Sequence, residues 1–135
     1  MHPENPVLLV DDEPQALVSL TQTLLAEGID NTLACQDSRD VLPLIERRDM
    51  ELVLLDLTMP HVPGEELLGL LARDFPNVPV IVITAFGSAD NAVAALKAGA
   101  FDYLAKPVAL DQLRTLIKSA LNLPRGSVDE GTAPT

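Results

Sequence analysis

Five polar residues of this 135-residue chain stand where short apolar runs end, and their types suit phosphoryl chemistry. Asp11 and Asp12 close VLLV, Asp56 nearly closes ELVLLDL, Thr84 follows VPVIVI, and Lys106 follows AFDYLA. Three carboxylates in one crevice repel one another unless positive charge sits among them. Hard oxygen donors suit Mg²⁺, which takes one or two carboxylates and keeps several waters. A lysine supplies a mobile positive charge and a threonine hydroxyl a neutral donor, where negative charge builds on a transferring phosphoryl group. A carboxylate such as Asp56, with metal and ammonium near, can act as the nucleophile and form an acyl phosphate. Taken singly, each residue has a bland reading: Asp11–Asp12 as a solvated turn, Asp56 as a cap, Thr84 as strand packing, Lys106 as a surface charge. Their recurrence at successive strand ends favours the chemical reading.

The elements that must bring them together follow from hydrophobic periodicity. The apolar runs are Val7–Val10, a weaker one over Asn31–Gln36, then Glu51–Leu57, Val78–Phe86 and Ala100–Ala105. Between them lie segments of helical period. Pro14 suits a first helical turn, and Leu17, Leu20, Leu24 and Leu25 follow until Gly28 stops the helix. Asp37 or Ser38 is placed to cap a second helix, whose start Pro43 blurs, and Ser88 or Asp90 to cap a fourth, which Gly99 ends. The last helix carries Leu110, Leu113, Leu116, Ile117 and Leu121.

The expected fold is α/β: a single (βα)5 chain forming a doubly wound, flavodoxin-like, parallel five-stranded sheet in the order 2-1-3-4-5. Such sheets bind ligands outside the carboxyl ends of their strands, where all five polar residues fall. Residues 1–123 are expected to form the domain. Residues 124–135, with turn formers and charges but no apolar period, read as a disordered tail or the start of a linker.

Composition narrows the function. Nine basic against twenty acidic residues give a net charge of −11, which disfavours direct contact with nucleic acid. No apolar run reaches the roughly 18–20 residues of a membrane span, and MHPENP does not resemble a signal peptide, so a cytoplasmic protein without membrane association is expected. The single cysteine, Cys35, forms no internal disulfide and reads as a small packed residue.

The segments VDDE, DLTMPHVPG, ITA and DYLAKP resemble the signature segments of the response-regulator receiver family, over about Val7 to Leu121. The resemblance implies that Asp56 is the phosphoacceptor. Asp12, Asp56 and the backbone carbonyl of Thr58 would bind Mg²⁺ (or Mn²⁺) directly, and Asp11 through water. Thr84 and Lys106 would contact the phosphoryl group, with the backbone N–H groups of Thr58 and Ala85. It implies a cis Lys106–Pro107 peptide, and a switch in which Thr84 moves to the phosphoryl group while Tyr103 swings inward, repacking the face of helix four, strand five and helix five. The expected partners are a sensor histidine kinase or phosphotransfer domain upstream and an output domain in cis, an AAA+ transcriptional activator among the candidates. A homodimer through the same face would fit.

Other positions are less tied to the family pattern. Phe86, beside the entrance, is placed to hinder the water that removes the phosphoryl group, and Pro63 stands where an Asp is common. His2 and His61, in Pro-rich turns, are not expected to relay phosphate. A Mg²⁺-dependent aspartyl phosphatase of the haloacid-dehalogenase type is the main alternative, but its D-x-D-x-T/V motif is replaced here by DDEP. A flavin module would need a Ser/Thr/Gly-rich loop where this chain is acidic. A degenerate receiver that only binds partners typically lacks an acid or the lysine, and all are present.

Overall fold

The computed structural model describes residues 4–57, 64–84, 89–106 and 108–121, with the backbone alone at 89–91. Its strands are β1 (Val7–Val10), β2 (Thr32–Cys35), β3 (Leu52–Asp56), β4 (Val80–Thr84) and β5 (Asp102–Ala105). The helices α1 (Pro14–Ala26), α2 (Val41–Arg47), α3 (Gly64–Asp74), α4 (Ala89–Lys97) and α5 (Leu110–Leu121) alternate with them. All strand pairings are parallel, as the alternation of elements predicts, and the order is β2-β1-β3-β4-β5, that expected of the flavodoxin-like arrangement.

Strand parity divides the core into two layers. Val7, Leu9, Leu52, Leu54, Ile81 and Ile83 face α1 and α5, where Leu17, Leu24, Leu113 and Ile117 meet them. Leu8, Val10, Val53, Leu55, Val80 and Val82 face α2, α3 and α4. The three central strands are therefore buried on both faces, which is why each reads as an unbroken apolar run. β2 and β5, at the edges, are half-exposed. Among the described residues no helix is long and apolar enough to cross a membrane.

The helix ends bear out some sequence signals and correct others. Pro14 opens α1, and Gly28 and Gly99 take the left-handed backbone (φ 85° and 112°) that ends α1 and α4. Asp37 caps through its carboxylate, accepting the Arg39 N–H at 2.9 Å, but the turn it caps is a short 3₁₀ segment, Ser38–Asp40, leading into α2. That lead-in puts Pro43 in the first turn of α2, where its missing N–H costs nothing. Asp90 cannot cap α4, because the helix already includes it; Ser88 lies outside the described residues.

Two glycines hold elements closer than any side chain would allow. A methyl group at Gly64 would collide with the backbone of Leu57, at 2.5 Å from its carbonyl oxygen. The start of α3 therefore lies directly against the residue that follows Asp56. At Gly99 a methyl group would come within 2.5 Å of the Ala72 Cβ on α3. A methyl group at Gly69, in the middle of α3, would meet nothing within 4 Å beyond its own helix. Gly64→Ala should therefore lower stability by about 2–3 kcal/mol through backbone displacement. Gly69→Ala should raise it by about 0.5–1 kcal/mol through helix propensity. Urea unfolding of the two variants checks both signs.

Candidate functional site

The chemistry-bearing residues lie at the carboxyl edge of the sheet, each placed by the end of its strand. Asp11 is the first residue beyond β1, and its N–H extends the ladder to the Cys35 carbonyl at 3.1 Å. Its Oδ1 accepts the Glu13 N–H at 3.0 Å, shaping the turn into α1. The local turn role and a chemical role are thus carried by opposite oxygens of one side chain. Asp56 is the last residue of β3, paired in register with Ile83. Thr84 is the last residue of β4, and its carbonyl accepts the Lys106 N–H at 2.8 Å. That bond anchors Lys106 at the end of β5.

From there the lysine stem reaches past the end of β4. Its Nζ lies 3.0 Å from Asp11 Oδ2 and 3.3 Å from Asp56 Oδ2. Asp11 is 2% exposed, Asp56 4% and Thr84 1%, while Asp12 is open to solvent. Burial, the largest influence on Lys106, pulls its pKa down. The hydrogen bond to Asp11 and the charges of Asp56 and Asp11 outweigh it and hold the ammonium above the ordinary lysine value of 10.5. Lys106 is therefore fully charged at neutral pH.

Carboxylate oxygens of Asp11, Asp12 and Asp56 all lie within 4.8 Å of one another, two of the three acids buried. An all-oxygen donor set of this kind, with one acid open to water, fits a hard divalent cation such as Mg²⁺. Among the described residues nothing soft joins the set: the buried Cys35 thiol donates to the Asp37 carbonyl at 3.1 Å, and desolvation pushes its pKa up. A groove of about 430 Å³ between α1 and α5 reaches the site at Asp11 and Lys106 over an apolar floor that includes Leu20, Ile83 and Val108. A larger groove, about 800 Å³, runs along the β2 edge between α1 and α2, and none of Asp11, Asp12 and Asp56 lines it.

Asp11, Asp12, Asp56 and Lys106 are thus brought together, with Thr84 buried at the adjoining strand end. Tyr103 lies three residues before Lys106, half-buried against the α2–α3–α4 layer. Thr58, Ala85 and the Lys106–Pro107 peptide lie outside the described residues, as do Phe86, Pro63, His2, His61 and the segment 122–135. Two features go beyond the expectations drawn from the sequence. One is the direct contact of Lys106 with both buried acids. The other is Gly64, whose signal is the Pro-Gly pair closing TMPHVPG.

Comparison with known proteins follows the same lines. A family profile described as "Response regulator receiver domain" matches residues 7–118. The response regulator protein PilR of Pseudomonas aeruginosa is 40% identical over 123 residues, 91% of this chain and 27% of the relative. The transcriptional regulatory protein GlrR of Escherichia coli is 36% identical over 124 residues, 92% of this chain and 28% of the relative. The chain therefore spans about a quarter of the length of these curated relatives. Among solved structures, the beryllofluoride-activated NtrC4 receiver domain dimer superposes with a TM-score of 0.80 at 34% identity, covering 86% of this chain and 95% of that one.

The lysine's raised pKa sets a pH dependence with a definite sign. Its contribution to stability is fully present below the unfolded value near 10.5 and is lost as pH rises through the higher folded value. The urea midpoint of the metal-free chain should thus exceed that of Lys106→Met by a constant margin from pH 7 to 9, and the margin should shrink above about pH 10.5. Chemical unfolding across that range checks it.

Proposed function

Because this chain belongs to the response regulator receiver family, we propose that it is a phosphorylation switch whose phosphoacceptor is Asp56. The observation that carries the reading is the convergence of Asp11, Asp12, Asp56 and Lys106 at one sheet edge. Asp12, Asp56 and the Thr58 carbonyl would hold Mg²⁺ or Mn²⁺, with Asp11 acting through water. Bound there, the cation would neutralise phosphoryl oxygens and lower the repulsion an anionic donor meets.

The chain's own groups do the rest. An Asp56 carboxylate oxygen attacks phosphorus, the new O–P bond forms, and the P–N bond to a donor imidazole breaks. The donor is a phosphohistidine of a sensor histidine kinase or phosphotransfer domain, and the α1–α5 groove gives it a route to the site. Lys106 and the Thr84 hydroxyl hold the transferred phosphoryl oxygens, with the backbone N–H groups of Thr58 and Ala85. Hydrolysis of the acyl phosphate is likewise self-catalysed, so the chain turns over no external substrate.

The output follows from Thr84 and Tyr103. Movement of the Thr84 hydroxyl to the phosphoryl group opens space for the Tyr103 ring and repacks the α4–β5–α5 face. That face controls an output domain joined beyond residue 123, and a transcriptional activator of the AAA+ kind fits relatives about four times as long, one of them named a transcriptional regulator. The dimeric, beryllofluoride-activated NtrC4 receiver supports dimerisation as a second consequence. The protein acts in the cytoplasm, without contacting nucleic acid through this domain.

Intact mass after incubation with acetyl phosphate tests the chemistry. One phosphoryl adduct that requires Mg²⁺ and is absent from Asp56→Asn is expected; an adduct retained in the variant overturns the assignment. Beryllofluoride binding should also bury the single tyrosine, Tyr103, and unchanged Tyr103 fluorescence would count against the switch.

A further inference from the structure

Among the described residues no strand lies beyond β2, whose one sheet neighbour is β1. The Val7 N–H donates to the Asn31 carbonyl at 2.9 Å and the Asp11 N–H to the Cys35 carbonyl at 3.1 Å. Strand alternation then turns the backbone groups of Leu33 toward β1 as well, and those of Thr32 and Ala34 outward along the sheet edge. The groove of about 800 Å³ follows this edge, with Pro14 and Val18 of α1 on one side and Asp40, Pro43, Leu44 and Arg47 on the other. The last four stand at i, i+3, i+4 and i+7, a single helical stripe. The stripe is acidic at its start, apolar in its middle and basic at its end, and both charged residues are exposed. On α1, Val18 and, two turns further, Leu25 are more than half exposed.

We propose that the β2 edge is a self-association surface, on which a second copy of this chain pairs antiparallel about a two-fold axis. The inference is independent of the phosphorylation reading. A surface that meets its own copy about such an axis must be self-complementary. With the axis beside Leu33, Thr32 of each copy exchanges backbone hydrogen bonds with Ala34 of the partner subunit, and the two five-stranded sheets become one. The same rotation reverses α2 against its copy. Asp40 then faces Arg47 of the partner subunit, Arg47 faces Asp40 of the partner subunit, and Pro43 and Leu44 lie between. Thr32 to Cys35 spans about 10 Å of strand, and Asp40 to Arg47 about 10 Å of helix, so one axis serves both pairings. It is this reversal of sign along the stripe that selects a second copy over a foreign strand. With a net charge of −11 on each copy, long-range repulsion keeps the association weak. β2 and β5 are opposite edges of the sheet, so the surface stays open when the α4–β5–α5 face is engaged.

Sedimentation velocity from about 1 µM to about 1 mM chain, in EDTA and without a phosphoryl donor, tests it. The sedimentation coefficient should rise with concentration toward that of a dimer. Asp40→Arg and Arg47→Asp, each alone, set like charges against each other twice across the axis and should move that rise to at least about tenfold higher concentration. An equimolar mixture of the two variants should restore it, because every charge contact across the axis is then between opposite signs. Val93→Glu, on the exposed side of α4, should leave it unchanged. A chain that stays monomeric throughout overturns the inference. So do single variants that associate as tightly as the unaltered chain, a mixture that fails to restore association, or a loss caused by Val93→Glu. Should far-UV circular dichroism show either charge variant unfolded, Pro43→Glu replaces it, since an exposed position in the first turn of α2 accepts a carboxylate. That variant should weaken association by setting two carboxylates beside the axis, and undiminished association overturns the inference.

Discussion

Two carboxylates, Asp11 and Asp56, sit almost entirely out of water beside each other, and the molecule depends on how that charge is compensated. Burying one ionised carboxylate without a partner is costly, and burying two together is more so. Lys106 contributes positive charge to both, and it comes from the far edge of the sheet. Every connection in the fold that brings β5 beside β4, and β4 beside β3, is therefore also a condition on the site. A parallel sheet meets it naturally, because each right-handed crossover returns the chain to start a new strand at the same edge.

The division of the core into two layers serves the same end. Each of the three central strands is buried on both faces, so no side chain along their length is open to a ligand. Only the residues at their carboxyl ends have both a rigid base and an opening. Asp56 and Thr84 are the last residues of strands whose preceding residues are all buried aliphatics. Their positions are set by packing several residues away, which suits a site whose groups must meet within hydrogen-bond distance.

Much of this is legible in the sequence for a physical reason. Doubly buried strands are short, apolar and sharply bounded, so VLLV and LVLLD stand out and the polar residue ending each is conspicuous. The edge strands are harder: β2 and β5 are only partly buried, so polar and apolar residues mix along them and their runs are less sharply bounded. The start of α4 is hard to place for a related reason: several residues in GSAD could cap, only the backbone decides, and it draws Asp90 inside the helix. The Lys106 contacts are beyond reach, because a flexible four-carbon stem has no periodicity to read. The close approach of Gly64 to Leu57 is likewise a tertiary fact written in a single residue type.

The segregation of chemistry to strand ends also has a bearing on how such a chain evolves. Its acids contribute nothing to the aliphatic core and tax it with buried like charge. Their replacement by neutral residues would relax the scaffold rather than break it. The architecture could therefore outlast the cluster: a chain that lost these aspartates would keep its hydrophobic layers, and so its fold, intact.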